Sequence, residues 1–108
     1  MDICPLSENA PNTGVCALVE GQQVAIFRVG SGSNILAISN YDPFSKVFVL
    51  SKGIMGDRNG IPKVASPIYK QNFSLLTEQC LDDETVSIPT FTARVVDQRV
   101  QVAIFDVA

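Results

Sequence analysis

Apolar and polar residues alternate with a period of two over much of the chain, in short runs separated by turn-forming residues. Phe91, Ala93 and Val95 alternate with Thr92 and Arg94, and beyond Asp97-Gln98 the alternation resumes with Val100, Val102 and Ile104 against Gln101 and Ala103. A period of two places each set on one face of a strand, so this segment predicts a β-hairpin turning near Asp97. "TGVCALV" from Thr13 and "QVAIFRV" from Gln23 flank Glu20-Gly21-Gln22 and predict another. There Val15, Ala17 and Val19 lie on one side with Cys16 and Leu18 on the other, and two apolar faces predict burial between layers.

Turn chemistry divides the rest. "GSGS" from Gly30 leads into a third strand, "NILAIS", which must stop at the corner "SNYDPF", because Pro43 has no N–H for a ladder and biases Asp42 toward extended geometry. "KVFVLSKGIM" from Lys46 fits either a helical turn or a strand, and the Asn59-Gly60 pair in "DRNG" predicts a tight hairpin with "IPKVAS" pairing back. A second Pro-marked corner, "SPIYKQNF" from Ser66, precedes a short strand, "NFSLLT", and an acidic loop, Asp82 to Glu84. No segment has the period of an amphipathic helix. The class is therefore all-β, a sandwich or small barrel of antiparallel strands, with residues 1–108 forming a single domain.

Charge and composition remove several function classes. Net charge is −3, and the eight Lys and Arg are scattered singly, so no basic stripe is available to neutralise a row of phosphates and nucleic acid is not expected as a partner. No apolar run approaches the roughly 20 residues that cross a bilayer, and Asp2 follows Met1 where a secretory leader would be basic. No membrane association is expected, and the location expected is cytoplasmic.

The chain has no histidine, which excludes histidine general bases, Ser-His and Cys-His nucleophiles and histidine-ligated zinc or iron. Its three cysteines, Cys4, Cys16 and Cys80, are widely spaced without a C-x-x-C pair, which fits a reducing compartment and small apolar side chains better than a disulfide framework. "GSGS" lacks the third glycine of a dinucleotide fingerprint and runs into a strand. Asp82, Asp83 and Glu84 are the one carboxylate cluster, and adjacent side chains on an extended loop diverge, so a solvated turn accounts for them better than acid-base catalysis.

The run "DICPL", "TGVCALVEGQQVAIFR", "ILAISNYDPF", "VLSKGI", "ASPIYKQNFSL" and "ARVVDQRVQV" resembles the small-subunit family of cytoplasmic NAD(P)H-dependent nitrite reductases over nearly the whole chain. That family has the fold of Rieske ferredoxins, in which loops of the form C-x-H and C-x-x-H grip a [2Fe–2S] cluster. By motif position, Asn40 and Asp42 stand where the first Cys and His would be, and Ser66 and Tyr69 where the second pair would be. All four ligand types are replaced, and none of the cysteines falls at a corner. The resemblance thus implies Rieske architecture without the cluster, and no cofactor or metal on this chain. It also implies a partner, the large catalytic subunit carrying FAD, an iron–sulfur cluster and siroheme, which reduces nitrite to ammonium in nitrate assimilation.

On this reading the chain is a non-catalytic accessory subunit of an oxidoreductase, inactive alone. Partner contacts are expected from Phe44, Lys46, Tyr69 and Lys70 at the corners, although Phe44 and Tyr69 equally suit a role capping the core. The two corners are expected to close on each other through polar side chains, with Asp42 accepting from N–H groups of its own turn. The competing reading is a metal-free β-sandwich that binds a ligand or oligomerises, unrelated to nitrite reduction.

Overall fold

The computed structural model describes residues 2–103 apart from Ser31, Ser33, Tyr69, Glu78 and Glu84. Ile104 and the apolar position assigned to it above lie outside the described residues.

Turn residues fix the hairpins. Glu20 and Gly21 both have positive φ, 49° and 82°, and join β2 (Gly14–Val19) to β3 (Gln22–Arg28) with Val19 opposite Gln22. Asn59 and Gly60, at 52° and 82°, do the same for β7 (Ile54–Arg58) and β8 (Ile61–Ala65). Asp97 and Gln98, at 50° and 63°, join β10 (Thr90–Val96) to β11 (Arg99–Ala103). Two successive positive φ values match the right-handed twist of the flanking strands, which is why such turns close hairpins.

A six-stranded sheet runs in the order β1, β11, β10, β4, β3, β2, with β1 at Asp2–Pro5 and β4 at Ile35–Ser39. Its paired neighbours are all antiparallel. The sheet curls until its two edge strands line a common cavity holding Ile3 and Cys4 of β1 beside Val15 and Ala17 of β2, so the barrel is nearly closed. Its interior is filled by Leu6, Val19, Val24, Ile26, Ile35, Ala37, Val100 and Val102. The expected barrel class is therefore observed.

A smaller sheet of β7, β8 and β9 (Asn72–Ser74) covers the outside of β3 and β4. Ala25, Phe27 and Ile38 from the barrel meet Leu50, Val64 and Phe73 in a second core. Phe27 and Phe73 are fully buried there, and each such side chain contributes roughly 1.5–3 kcal/mol by leaving water. Strand β3 is thus buried on both faces, as its composition predicts. Strand β2 differs: Val15, Ala17 and Val19 face the barrel core, while Cys16 is exposed and Leu18 is 67% exposed. The small sheet covers its neighbours and leaves this outer face open.

"KVFVLSKGIM" proves to be both alternatives in succession. Val47–Phe48 forms β6, which pairs with β5 (Tyr41–Asp42), then Leu50–Lys52 makes one 3₁₀ turn before β7 begins. Gly53 permits this passage, because a Cβ there would sit 2.3 Å from the carbonyl oxygen of Ala65.

Candidate functional site

The corner at 39–46 leaves the barrel at the end of β4, and the corner at 66–71 joins β8 to β9. Three of the four sequence-derived positions, Asn40, Asp42 and Ser66, are buried, with exposures of 2%, 0% and 1%. Tyr69 lies outside the described residues.

Asp42 and Ser66 meet directly. The Ser66 hydroxyl donates to Asp42 Oδ2 at 2.5 Å, across 24 residues of sequence. Asp42 Oδ1 accepts from the backbone N–H of Phe44 at 2.9 Å and of Ser45 at 3.5 Å, the self-capping geometry expected of Asp at a turn. Ser66 Oγ also accepts from the N–H of Ile68 at 3.2 Å, and the backbone closes the second corner through Lys70 N–H to Ser66 O and Ser66 N–H to Gln71 O. Burial pushes the Asp42 carboxyl up, but the hydrogen bonds from Ser66 and the Phe44 and Ser45 turn outweigh it and hold the group below its usual 3.8. It is therefore a buried carboxylate anion at neutral pH.

Asn40 is engaged at every polar group. Its N–H donates to Gln23 O and its C=O accepts from Leu50 N–H, while Oδ1 accepts from Ser51 N–H at 2.7 Å. Nδ2 donates to Gln23 Oε1 at 3.2 Å and to Cys16 Sγ at 3.4 Å. Asn40 therefore ties the first corner to β2, β3 and the 3₁₀ turn, and does not face Ser66 as part of one ring of ligands. Sequence reasoning did not find Gln23 or Ser51, whose partners are 17 and 11 residues away and are announced by no motif.

The two lysines proposed at the corners are exposed, and both have positive φ, 60° at Lys46 and 63° at Lys70. Phe44 turns inward, half-buried, with its ring 6.1 Å from that of Phe73. Among the described residues, the buried Gln71 Oε1 at the second corner has no hydrogen-bond partner. In the acidic loop, Asp82 accepts from the N–H and side chain of Asn72 and from Arg58, and Asp83 accepts from Thr85. These carboxylates tie loops together rather than converging on a cleft.

Could these residues hold a [2Fe–2S] cluster? They do not fit one. A cluster of this class takes thiolate and imidazole donors, and the corner offers an amide, a carboxylate and a hydroxyl. Asp42 and Ser66 already touch, with their oxygens at hydrogen-bond distance, where a cluster would have to keep its ligands apart. The cysteines do not rebuild the site. Cys80 is in the core between the sheets, Cys4 packs on the barrel interior, and Cys16 faces outward beside Gln23. Burial raises the thiol pKa at Cys4 and Cys16, and at Cys4 Glu8 adds to this. Among the described residues no group of three or more Cys, Asp or Glu is placed to hold a metal ion.

Comparison with known proteins places this geometry. The profile of the Rieske-like [2Fe–2S] domain matches residues 1–103. The nitrite reductase (NADH) small subunit of Escherichia coli K12 is 46% identical over 100 residues, covering 93% of each chain. The NMR structure of the E. coli protein NirD superposes with a TM-score of 0.88 at 45% identity, over 94% of this chain and 93% of that one. The ferredoxin of carbazole 1,9a-dioxygenase from Nocardioides aromaticivorans shares the fold, with a TM-score of 0.80 at 19% identity over 95% of both chains. The nitrite reductase [NAD(P)H] large subunit of Klebsiella oxytoca contains a related segment, 33% identical over 100 residues, which spans 93% of this chain and 10% of that polypeptide. The chain belongs to the Rieske-like domain family and, within it, to the small subunits of NADH nitrite reductase.

Proposed function

We propose that this protein is the non-catalytic small subunit of an NAD(P)H nitrite reductase, docking on the large catalytic subunit that reduces nitrite to ammonium. The observation that carries this reading is the likeness to the E. coli small subunit along nearly the full length of both chains. The K. oxytoca polypeptide adds a physical argument for the partner. There a relative of this chain is a segment of the large-subunit polypeptide, so the two modules are kept together in one molecule.

The division of labour follows from chemistry. This chain carries no cofactor, its tip being closed by hydrogen bonds from groups that do not suit a cluster. FAD, the iron–sulfur cluster and siroheme reside on the large subunit. The enzyme works in the cytoplasm, and no described helix of this chain is long and apolar enough to cross a membrane. Lys46 and Lys70, with the half-buried Phe44 beside them in the first corner, belong to the corner end that meets the partner, and Tyr69 is assigned to the same contact by its place in the sequence.

The test combines purified large subunit with this chain. A stable complex and NAD(P)H-dependent nitrite reduction that the chain alone does not show would support the reading. Turnover by the chain alone, or no association at micromolar concentration, would overturn it.

A further inference from the structure

Asn40 fastens both ends of one loop. Residues 41–49 follow it and return at Leu50, where the backbone carbonyl of Asn40 accepts from the Leu50 N–H at 3.1 Å and its Oδ1 accepts from the Ser51 N–H at 2.7 Å. A single residue therefore closes the neck of the loop. The same side chain donates through Nδ2 to Gln23 Oε1 and Cys16 Sγ, which moors the neck to β3 and β2. A carboxamide supplies the acceptor and the donors from one planar group.

Beyond the neck the loop has little to hold it. β5 and β6 are two residues each, Tyr41–Asp42 against Val47–Phe48, and a two-stranded ribbon of that length is not stable alone. Val47 and Phe48 are 46% and 48% exposed, so they bury little against the barrel. The loop is held instead at two polar points, Asn40 at the neck and the Asp42–Ser66 bond at the tip, with the Phe44 ring against Phe73. Bonds that join the ends of an otherwise weak unit set how often the whole unit opens.

The geometry points to Asn40 as the positioning residue for docking: it keeps loop 41–49 in the arrangement that presents Lys46 to the large subunit. This inference rests on the small-subunit reading and adds to it the residue that sets docking competence. The observed affinity is the intrinsic affinity multiplied by the fraction of molecules with the loop in place, so loosening the neck weakens the complex without removing a contact to the partner.

Binding of the purified large subunit is measured for the wild-type chain, Asn40→Ala, Gln23→Leu and Asn9→Ala, under conditions in which circular dichroism shows each to be folded. Asn9 is the control. It too is buried, with Nδ2 donating to the Ile26 carbonyl and its own carbonyl accepting from Arg28, but it serves the segment before β2. Asn40→Ala is expected to weaken binding about tenfold, and Gln23→Leu, which removes one mooring acceptor at an exposed position, about threefold. Asn9→Ala should change binding by less than about twofold while lowering the denaturation midpoint. Amide hydrogen exchange on the free chains gives the readout that a merely structural role does not move. At Lys46, Leu50 and Ser51, exchange measured relative to the amides of β3 should quicken about tenfold in Asn40→Ala and stay unchanged in Asn9→Ala. Should Asn40→Ala not fold, Gln23→Leu carries both readouts. Failure of the wild-type chain to bind would overturn the small-subunit reading itself. With wild-type binding intact, normal affinity in the folded neck variants, an equal loss in Asn9→Ala, or neck amides that keep their exchange rate relative to β3 would overturn the role of Asn40 alone.

Discussion

The hydroxyl of Ser66 donates to the carboxylate of Asp42 at 2.5 Å, joining the two corners to which the sequence resemblance assigns the cluster-ligand positions. The bond is buried at both ends, and Asp42 is further held by the N–H groups of Phe44 and Ser45. Removing one partner of a buried hydrogen-bonded set leaves the other desolvated, at a cost of roughly 1–3 kcal/mol. Asp42→Ala is therefore expected to lower the unfolding free energy by an amount in that range and the denaturation midpoint accordingly, and Ser66→Ala by less, since Asp42 keeps its backbone donors. A double-mutant cycle in urea should show non-additivity. Unchanged midpoints for both would mean that the corners are not joined by this bond.

Acid should weaken the same contact. The folded Asp42 carboxyl lies below its usual 3.8, so its stabilisation is fully present above the unfolded value and is lost as pH falls through the lower folded value. Asp82, lowered chiefly by the Asn72 N–H, contributes with the same sign. In a pH series of chemical denaturation, wild type should lose stability below about pH 4, and Asp42→Asn should show a shallower acid limb. Parallel limbs for the two proteins would show that Asp42 is not the ionising group.

How far could the chain be read without coordinates? The hairpins at Asn59-Gly60 and Asp97-Gln98 were legible because their residues tolerate the positive φ that the turns require. The Asp42 turn was legible because Asp before Pro tends to cap its own loop. β1 escaped because it has four residues and an irregular register between Asp2 and Cys4, which erases any alternation. The open face at Cys16 and Leu18 was misread as a buried layer, since the identity of a strand's outer residues does not reveal where a neighbouring sheet ends. The hub at Asn40 was equally hidden: its position followed from the resemblance, but its partners Gln23 and Ser51 are set by tertiary packing.

The exposed lysines at the corners should act mainly on the rate of association. Lys46→Glu or Lys70→Glu is expected to weaken the complex with the large subunit by about 1 kcal/mol, with a larger effect at low ionic strength. Arg94→Glu, on β10, should change it less. Stopped-flow association at two salt concentrations reads both quantities. Equal losses at all three sites would deny the corner end any special part.

The central claim is that this Rieske-like tip is held closed by protein hydrogen bonds in place of a cluster. Its most direct test is iron and acid-labile sulfide analysis, with a visible absorption spectrum, on the full chain expressed in iron-replete cells and purified without oxygen. A colourless protein with far less than one iron per chain is the expected result. About two irons and two sulfides per chain, with charge-transfer bands in the visible, would contradict the account.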